Sequence, residues 1–214
     1  MDYKELKKRG QRLNDIHEIK NLMSRYAHFH AAGQYDAEAD LFAQKTPGAK
    51  IDLLGWGVYE GIEGIRRFAN VYKFLEGGLP GQLHMHPLTT PVIEVAGDGK
   101  TAKGVWICPG LNTVPIPGEK MQAFWSWCKY GVDFVKEDNN WRLWHVYVAG
   151  ILMTPYEKSW VEAPPAPPPP MEGELRPDRP SPHLWMYSPS AITEYDPVLP
   201  EPYETWDDSM SYVD

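Results

Sequence analysis

The 214-residue sequence predicts an α+β fold, with helices packed on one face of a curved antiparallel sheet. Two observations carry that expectation. Up to residue 76, apolar residues recur at three- and four-residue steps; from residue 82 the period drops to two. The segments with the shorter period are rich in Val, Ile, Thr, Trp and Tyr and are separated by turn signals.

Residues 14–32, NDIHEIKNLMSRYAHFHAA, put Ile16, Ile19, Leu22, Met23, Tyr26 and His30 on one buried stripe. Asn14 is the expected N-cap and Gly33 the expected stop. The stretch before it, KELKKRGQR, holds the dense basic patch of the chain and reads as a solvated arm over residues 1–13. A short second helix follows in YDAEADLFA, with Ala39, Leu41 and Phe42 as buried candidates. KIDLLGWGVYEG supplies a strand or hairpin. Residues 61–76 read as a third helix carrying Ile62, Ile65, Phe68, Val71 and Phe74, ended by GGLPG. Long strands are expected over 82–95, 101–108, 121–136 and 141–153, with GDGK joining the first pair and EDNN the last.

At residue 163 the composition shifts to APPAPPPPMEGELRPDRPSP, an extended linker over 161–182, since proline cannot occupy a helix or sheet interior. Residues 183–214 keep two Trp and four Tyr, which favours docking on the chain's own domain or on a neighbouring subunit. A net charge of -8 argues against binding a phosphate backbone. No apolar run approaches the ~20 residues that cross a bilayer, and no apolar stretch follows the charged start as a secretory signal would. Cys108 and Cys128 belong to no CxxC, and two thiols fit a reducing compartment. The expectation is a soluble, cytoplasmic protein without nucleic-acid or membrane partners.

In HMHPL, His84 and His86 stand two apart on an expected strand, so both imidazoles point to the same side. Metal ligation, proton transfer and plain hydrogen bonding in a sheet are all open to such a pair. A metal needs a third ligand, but Thr89, Thr90 and Pro91 follow where a carboxylate would be wanted, and Glu94 is too distant. No GxGxxG, GxxxxGKS or GxSxG occurs, so dinucleotide, P-loop and α/β-hydrolase sites are unsupported. Acid–base chemistry without cofactor or metal is what remains.

LMSRYAHFHAAGQYDAEADLF, GWGVYEGIEGIRRF, HPLTTPVIEVAGDGKTAKGVW and WRLWHVYVAGILMTPYEKSW, in that order, resemble the SnoaL-like branch of the nuclear transport factor 2-like superfamily. The resemblance covers about residues 14–160 and implies a cone-like α+β barrel whose sheet wraps a pocket. In dehydratase-like members a Tyr and an Asp come from the first helix and a His from a central strand. The His acts as base, the Asp orients it and the Tyr polarises a substrate oxygen. Tyr26 matches that Tyr, Ala31 occupies the Asp position, and His86 is the better match to the His, with His84 one pleat earlier. His30, one helical turn after Tyr26, is the neighbouring polar partner.

Two rows alternate on the third long strand: Trp125 and Trp127 on one face, and Phe124, Cys128, Tyr130 and Phe134 on the other. Either can wall an apolar pocket. On the last strand, alternation groups Trp141, Leu143, His145 and Tyr147, making His145 a pocket-lining candidate. Asp133 is expected at an edge or facing solvent, with replacement of the missing carboxylate from a different direction as its other reading. The resulting expectation is a lyase or isomerase acting on a small hydrophobic, cyclic or aromatic molecule. His86 is the base, Tyr26 holds the substrate oxygen, His84 and His30 tune or relay the proton, and Trp125, Trp127, Tyr130 and His145 contact the substrate. The alternative is a ligand-binding module of the same fold without chemistry. Assembly as a homodimer or trimer, with the tail contributing, completes the reading.

Overall fold

The computed structural model describes residues 2–53, 55–76, 78, 80–115, 121–163, 171–183 and 186–214. The elements are α1 (Tyr3–Ala31), α2 (Tyr35–Ala39), β1 (Lys50–Leu53), β2 (Gly57–Glu60), α3 (Gly61–Glu76), β3 (Leu83–Met85), β4 (Thr89–Val95), β5 (Thr101–Val114), β6 (Gln122–Glu137) and β7 (Asn140–Pro155). One sheet runs β2-β1-β7-β6-β5-β3, with β4 also paired to β5. The α+β class holds. The sheet is mixed, however, because β1 lies parallel to β7. It is also open, since β2 and β3 end the strand order.

α1 begins at Tyr3, not after Asn14. Asp2 caps it by accepting from the Glu5 amide at 2.8 Å, while Asn14 donates to Glu18 instead. The arm expected over 1–13 is therefore the first turns of the same helix. Asp15 ties the helix to the β6–β7 hairpin, accepting from Lys136 Nζ at 2.6 Å and Trp141 Nε1 at 3.0 Å. On α3 the buried stripe runs through Ile65, Phe68 and Tyr72, whereas Phe74 is exposed.

The inner face of the sheet meets the helices. Trp106, Cys108, Tyr130, Val132 and Phe134 pack there with Ile19, Met23, Ile65 and Phe68. The outer face is partly covered by the chain's own C-terminal segment. Arg179 bridges to Val58, the Met186 amide donates to Gly150 O at 2.8 Å, and the Gly97 amide donates to Tyr203 O at 2.9 Å. Val58, Val105, Tyr147, Ala149, Tyr212 and Val213 form a second small core beneath it. The proline run at 164–170, expected to be extended, lies outside the described residues.

β7 departs from strict alternation. Asp133 pairs with His145, but Phe134 pairs with Leu143, so Trp144 is an extra residue in a β-bulge. A one-residue insertion reverses which face each later side chain takes. Trp141 and Leu143 thus lie in the inner core, while Tyr147 joins the outer one and His145 faces Asp133. The expected grouping of these four on one face is overturned by that bulge.

The tail ends on a buried charge cluster. Asp133 is fully buried and accepts from Lys103 Nζ (2.6 Å), His145 Nδ1 (3.0 Å), the Tyr212 amide (3.0 Å) and Ser211 Oγ (3.2 Å). Asp133→Ala removes the acceptor while leaving the Lys103 ammonium buried. The expected cost is about 3–5 kcal/mol, read from urea denaturation, together with faster proteolysis of the last residues.

Candidate active site

Tyr26 and His30 sit one turn apart on the last turns of α1, both 2% exposed. The chain reverses through Gly33, whose φ of 66° suits glycine, and enters α2. In α2, Tyr35, Glu38 and Ala39 are three and four apart and share the buried face. That face brings Glu38 Oε2 to 3.3 Å from His30 Nδ1, both side chains being buried. The rings of Tyr72 (4.6 Å, edge-on) and Tyr35 (5.8 Å, edge-on) flank His30. His86 stacks on it at 5.0 Å with 20° between planes.

His86 lies just past the end of β3, and His84 within it. Both turn to Asn112 on β5: His84 Nδ1 is 3.2 Å and His86 Nε2 2.9 Å from Asn112 Oδ1. The Asn112 amide nitrogen donates to Ser126 Oγ at 2.7 Å, which orients its oxygen toward the imidazoles. An amide oxygen only accepts, so His86 carries its proton on Nε2 and keeps the lone pair on Nδ1. Gly110 makes room for this: a Cβ there would stand 2.7 Å from His86 Cδ2 and 2.4 Å from Ser126 Oγ.

Burial pushes the His86 pKa down to about 3, with His30 and His84 adding repulsion and the Asn112 bond opposing. The ring is thus neutral at physiological pH. Tyr26 is driven well above the ordinary phenol value, first by burial, then by the charge of Glu38 and by Tyr130. Its hydroxyl lies against the Glu38 carboxyl, a hydrogen-bond acceptor that raises the phenol further.

Tyr130 joins this cluster from the inner face of β6, its ring 6.1 Å from that of Tyr26. The other expected substrate contacts lie elsewhere. Trp125 and Trp127 point to the outer face and are 38% and 40% exposed, with Trp125 stacked on Tyr156. His145 is on that outer face too, against Asp133, Trp144 and Trp206. Asp133 is neither at an edge nor in solvent, and it is on the wrong side of the sheet to serve as the missing carboxylate. The carboxyl that lies beside His30 is that of Glu38. Sequence reasoning passed over Glu38, Asn112, Ser126, Tyr35 and Tyr72. For Glu38 a signal existed: in YDAEADLF, positions 35, 38, 39 and 42 share one helical face, which makes Glu38 a carboxyl among core residues.

Two open clefts lie away from these side chains. One, of about 540 Å³, is lined by Arg67, Arg176 and Asp178; the other, of about 610 Å³, lies between the start of α1 and the β4–β5 turn. Both are open at the surface, and neither is lined by Tyr26, His30 or His86. Among the described residues no three His, Cys, Asp or Glu side chains converge as metal ligands do. Nor is any helix among them long and apolar enough to cross a membrane.

A family model described as SnoaL-like domain matches residues 11–147. No curated protein matches the chain. Among solved structures, a candidate scytalone dehydratase from Novosphingobium aromaticivorans superposes with a TM-score of 0.56 at 13% identity, covering 69% of this chain and 91% of that one. A type 2 hexachlorocyclohexane dehydrochlorinase (LinA) gives 0.55 at 20%, covering 67% and 90%. A nuclear transport factor 2-like protein with a cystatin-like fold, also from N. aromaticivorans, gives 0.51 at 19%, covering 70% and 90%. At these identities the likeness is one of fold.

Two outcomes follow from the geometry of His86. Because its pKa is lowered in the folded state, the unfolded chain binds more protons between about pH 3 and 6.5. Its contribution to stability is therefore full above about pH 6.5 and is lost as pH falls toward 3; the His86→Phe variant should show a flatter stability curve over that window. Gly110→Ala should displace the ring, visible as a shift of the His86 imidazole resonances with the fold retained.

Proposed function

The chain belongs to the SnoaL-like domain family, and from that membership and the buried histidine pair we propose a cofactor-independent lyase, dehydratase-like in its chemistry. Its substrate is a small, uncharged, ring-containing molecule. The observation that carries the reading is the Glu38–His30–His86 stack beside Tyr26.

His86 is the less enclosed of the two stacked imidazoles, so it is the one a substrate meets. It is neutral, and its tautomer leaves Nδ1 free to take a proton from carbon. The electron pair released forms the new double bond as the C–O bond of the neighbouring hydroxyl breaks, and the oxygen leaves as water with the proton that His86 took from carbon. Tyr26 hydrogen-bonds the oxygen that gains charge or leaves. His30 lies behind His86 with Glu38 at its Nδ1, and that contact holds and orients the ring on which His86 stacks. Glu38 is the charged group facing these side chains, which favours a neutral substrate over an anion. Isomerisation through the same proton abstraction is the close variant. Support for elimination also comes from two solved structures of this fold, named as a candidate scytalone dehydratase and as a dehydrochlorinase.

The test is turnover on a panel of small cyclic alcohols and ketones, followed by loss of the double-bond chromophore in variants. His86→Asn should lower kcat about 100- to 10,000-fold, as removal of a general base does. Glu38→Gln should lower kcat by a smaller factor with little change in KM. Binding without turnover, or a His86→Asn variant as fast as the parent, would sink the lyase reading and leave a ligand-binding module.

A further inference from the structure

The first three turns of α1 run beyond the part of the helix that closes the core. Every residue from Asp2 to Gln11 is exposed, yet the segment is helical from Tyr3 onward and capped by Asp2. One side of it is fixed to the body. Arg12 donates to the Val95 carbonyl at 2.9 Å and pairs with Glu94, and Asp15 holds Lys136 and Trp141. Lys4, Lys8 and Gln11 share that side and line the cleft beside the β4–β5 turn. At about 100° per residue, the opposite side carries Tyr3, Leu6, Gly10 and Leu13. Its three large side chains are 80%, 55% and 69% exposed, in a stripe about 15 Å long. Lys7 and Arg9 border the stripe on its two edges. The carboxylates nearest to it are engaged: Glu5 pairs with Arg9, and Glu18 accepts from Asn14.

A single exposed leucine needs no partner, and a basic helix by itself need only be solvated. Here the two features coincide on one preformed helix whose far side is anchored. Residues 2–13 hold five of the 21 Lys and Arg against two carboxylates, in a chain whose net charge is -8. Charge complementarity therefore calls for an anionic partner at this end of the molecule alone. A nucleic-acid backbone would meet the cations but leave the stripe in water. An anionic lipid surface takes both: the apolar side chains enter the acyl boundary, and the long Lys and Arg stems keep their charges among the headgroups. Such a surface needs no matching groove, only a helix face that points outward. The acidic remainder of the chain is repelled from the same surface, so contact is confined to this helix and is reversible. The expectation of no membrane partner rested on net charge and on the lack of a spanning run, and neither bears on a helix that lies on the surface.

We infer that the first three turns of α1 dock the protein on an anionic lipid surface. The helix lies in the headgroup plane with Tyr3, Leu6 and Leu13 inward and Lys7 and Arg9 against phosphates. This docking is independent of the lyase reading, since it uses no residue of the buried cluster. The test is co-sedimentation of the full chain with vesicles of phosphatidylcholine containing phosphatidylserine, and with phosphatidylcholine alone. Binding is expected to the first and not to the second, and to fall more than about tenfold between ~0.1 M and ~0.5 M salt as the headgroup charge is screened. The double variant Lys7→Glu, Arg9→Glu should bind at least about 20-fold more weakly, because each cation near such a surface contributes roughly fivefold. Leu6→Asp with Leu13→Asp should lose binding with the cations intact. All four positions are exposed, so circular dichroism should be unchanged in both double variants. A parent that stays in the supernatant, that binds phosphatidylcholine equally, or that binds unaltered in either double variant would overturn the proposal. Preference for poly-glutamate over the anionic vesicles at equal charge would overturn it too, in favour of an acidic protein partner.

Discussion

β7 changes the face it presents at Trp144, and both sides of the molecule depend on that extra residue. Before it, Trp141 and Leu143 pack inward, and the Trp141 indole holds Asp15 of α1. After it, Val146 and Val148 take the inward positions while His145 and Tyr147 turn out. Without the bulge, the inner core would receive an imidazole and a phenol in place of two valines, and the tail would lose the acid–imidazole cluster it closes on. A bulge costs some ladder pairing, and the two cores it permits offset that cost.

The geometry of the buried cluster has a similarly local origin. α1 stops at Ala31, where a carboxylate is absent, and the reversal at Gly33 brings α2 back across its end. One turn of α2 then supplies a carboxyl from a different direction, aimed at His30 rather than at the strand histidine. His30 stands between Glu38 and the partly buried His86. A carboxylate at one remove stabilises charge on His86 less strongly than a direct bond would, because Coulomb interaction falls with distance. That fits a His86 held neutral by burial rather than kept basic by an adjacent acid.

The outer face is shared between two kinds of cover. Over β1, β7 and the first half of β5, the tail brings polar groups that satisfy Asp133 and apolar ones that pack on Tyr147. Over β3 and the remainder of β5 and β6 the described residues leave aromatic and aliphatic side chains exposed, of the kind a sheet interior would hold. A single-layer sheet with helices on one side needs a second layer on the other, and the described part of the tail supplies half of it.

Periodicity determined a great deal of this protein. The change from a helical to a two-residue repeat marks the α+β class, the GDGK and EDNN turns mark their hairpins, and Tyr26 and His30 fall on one helix face by spacing alone. The paired orientation of His84 and His86 follows from the two-residue step. These are local properties, governed by backbone geometry within a few residues. What only the tertiary structure decided is where local rules are broken or where distant segments meet. The bulge at Trp144 leaves no local mark in NWRLWHVYVAG, yet it moves His145 to the opposite face from Leu143. The start of α1 at Tyr3 depends on Asp2 and on the anchor at Asp15, not on the cap-like Asn14. Glu38 reaches His30 because a chain reversal folds α2 against α1, and Asp133 is buried because residues some 80 positions later return to cover it. Such contacts are set by the packing of whole elements, for which the energy is summed over many residues and no single stretch of sequence carries the signal.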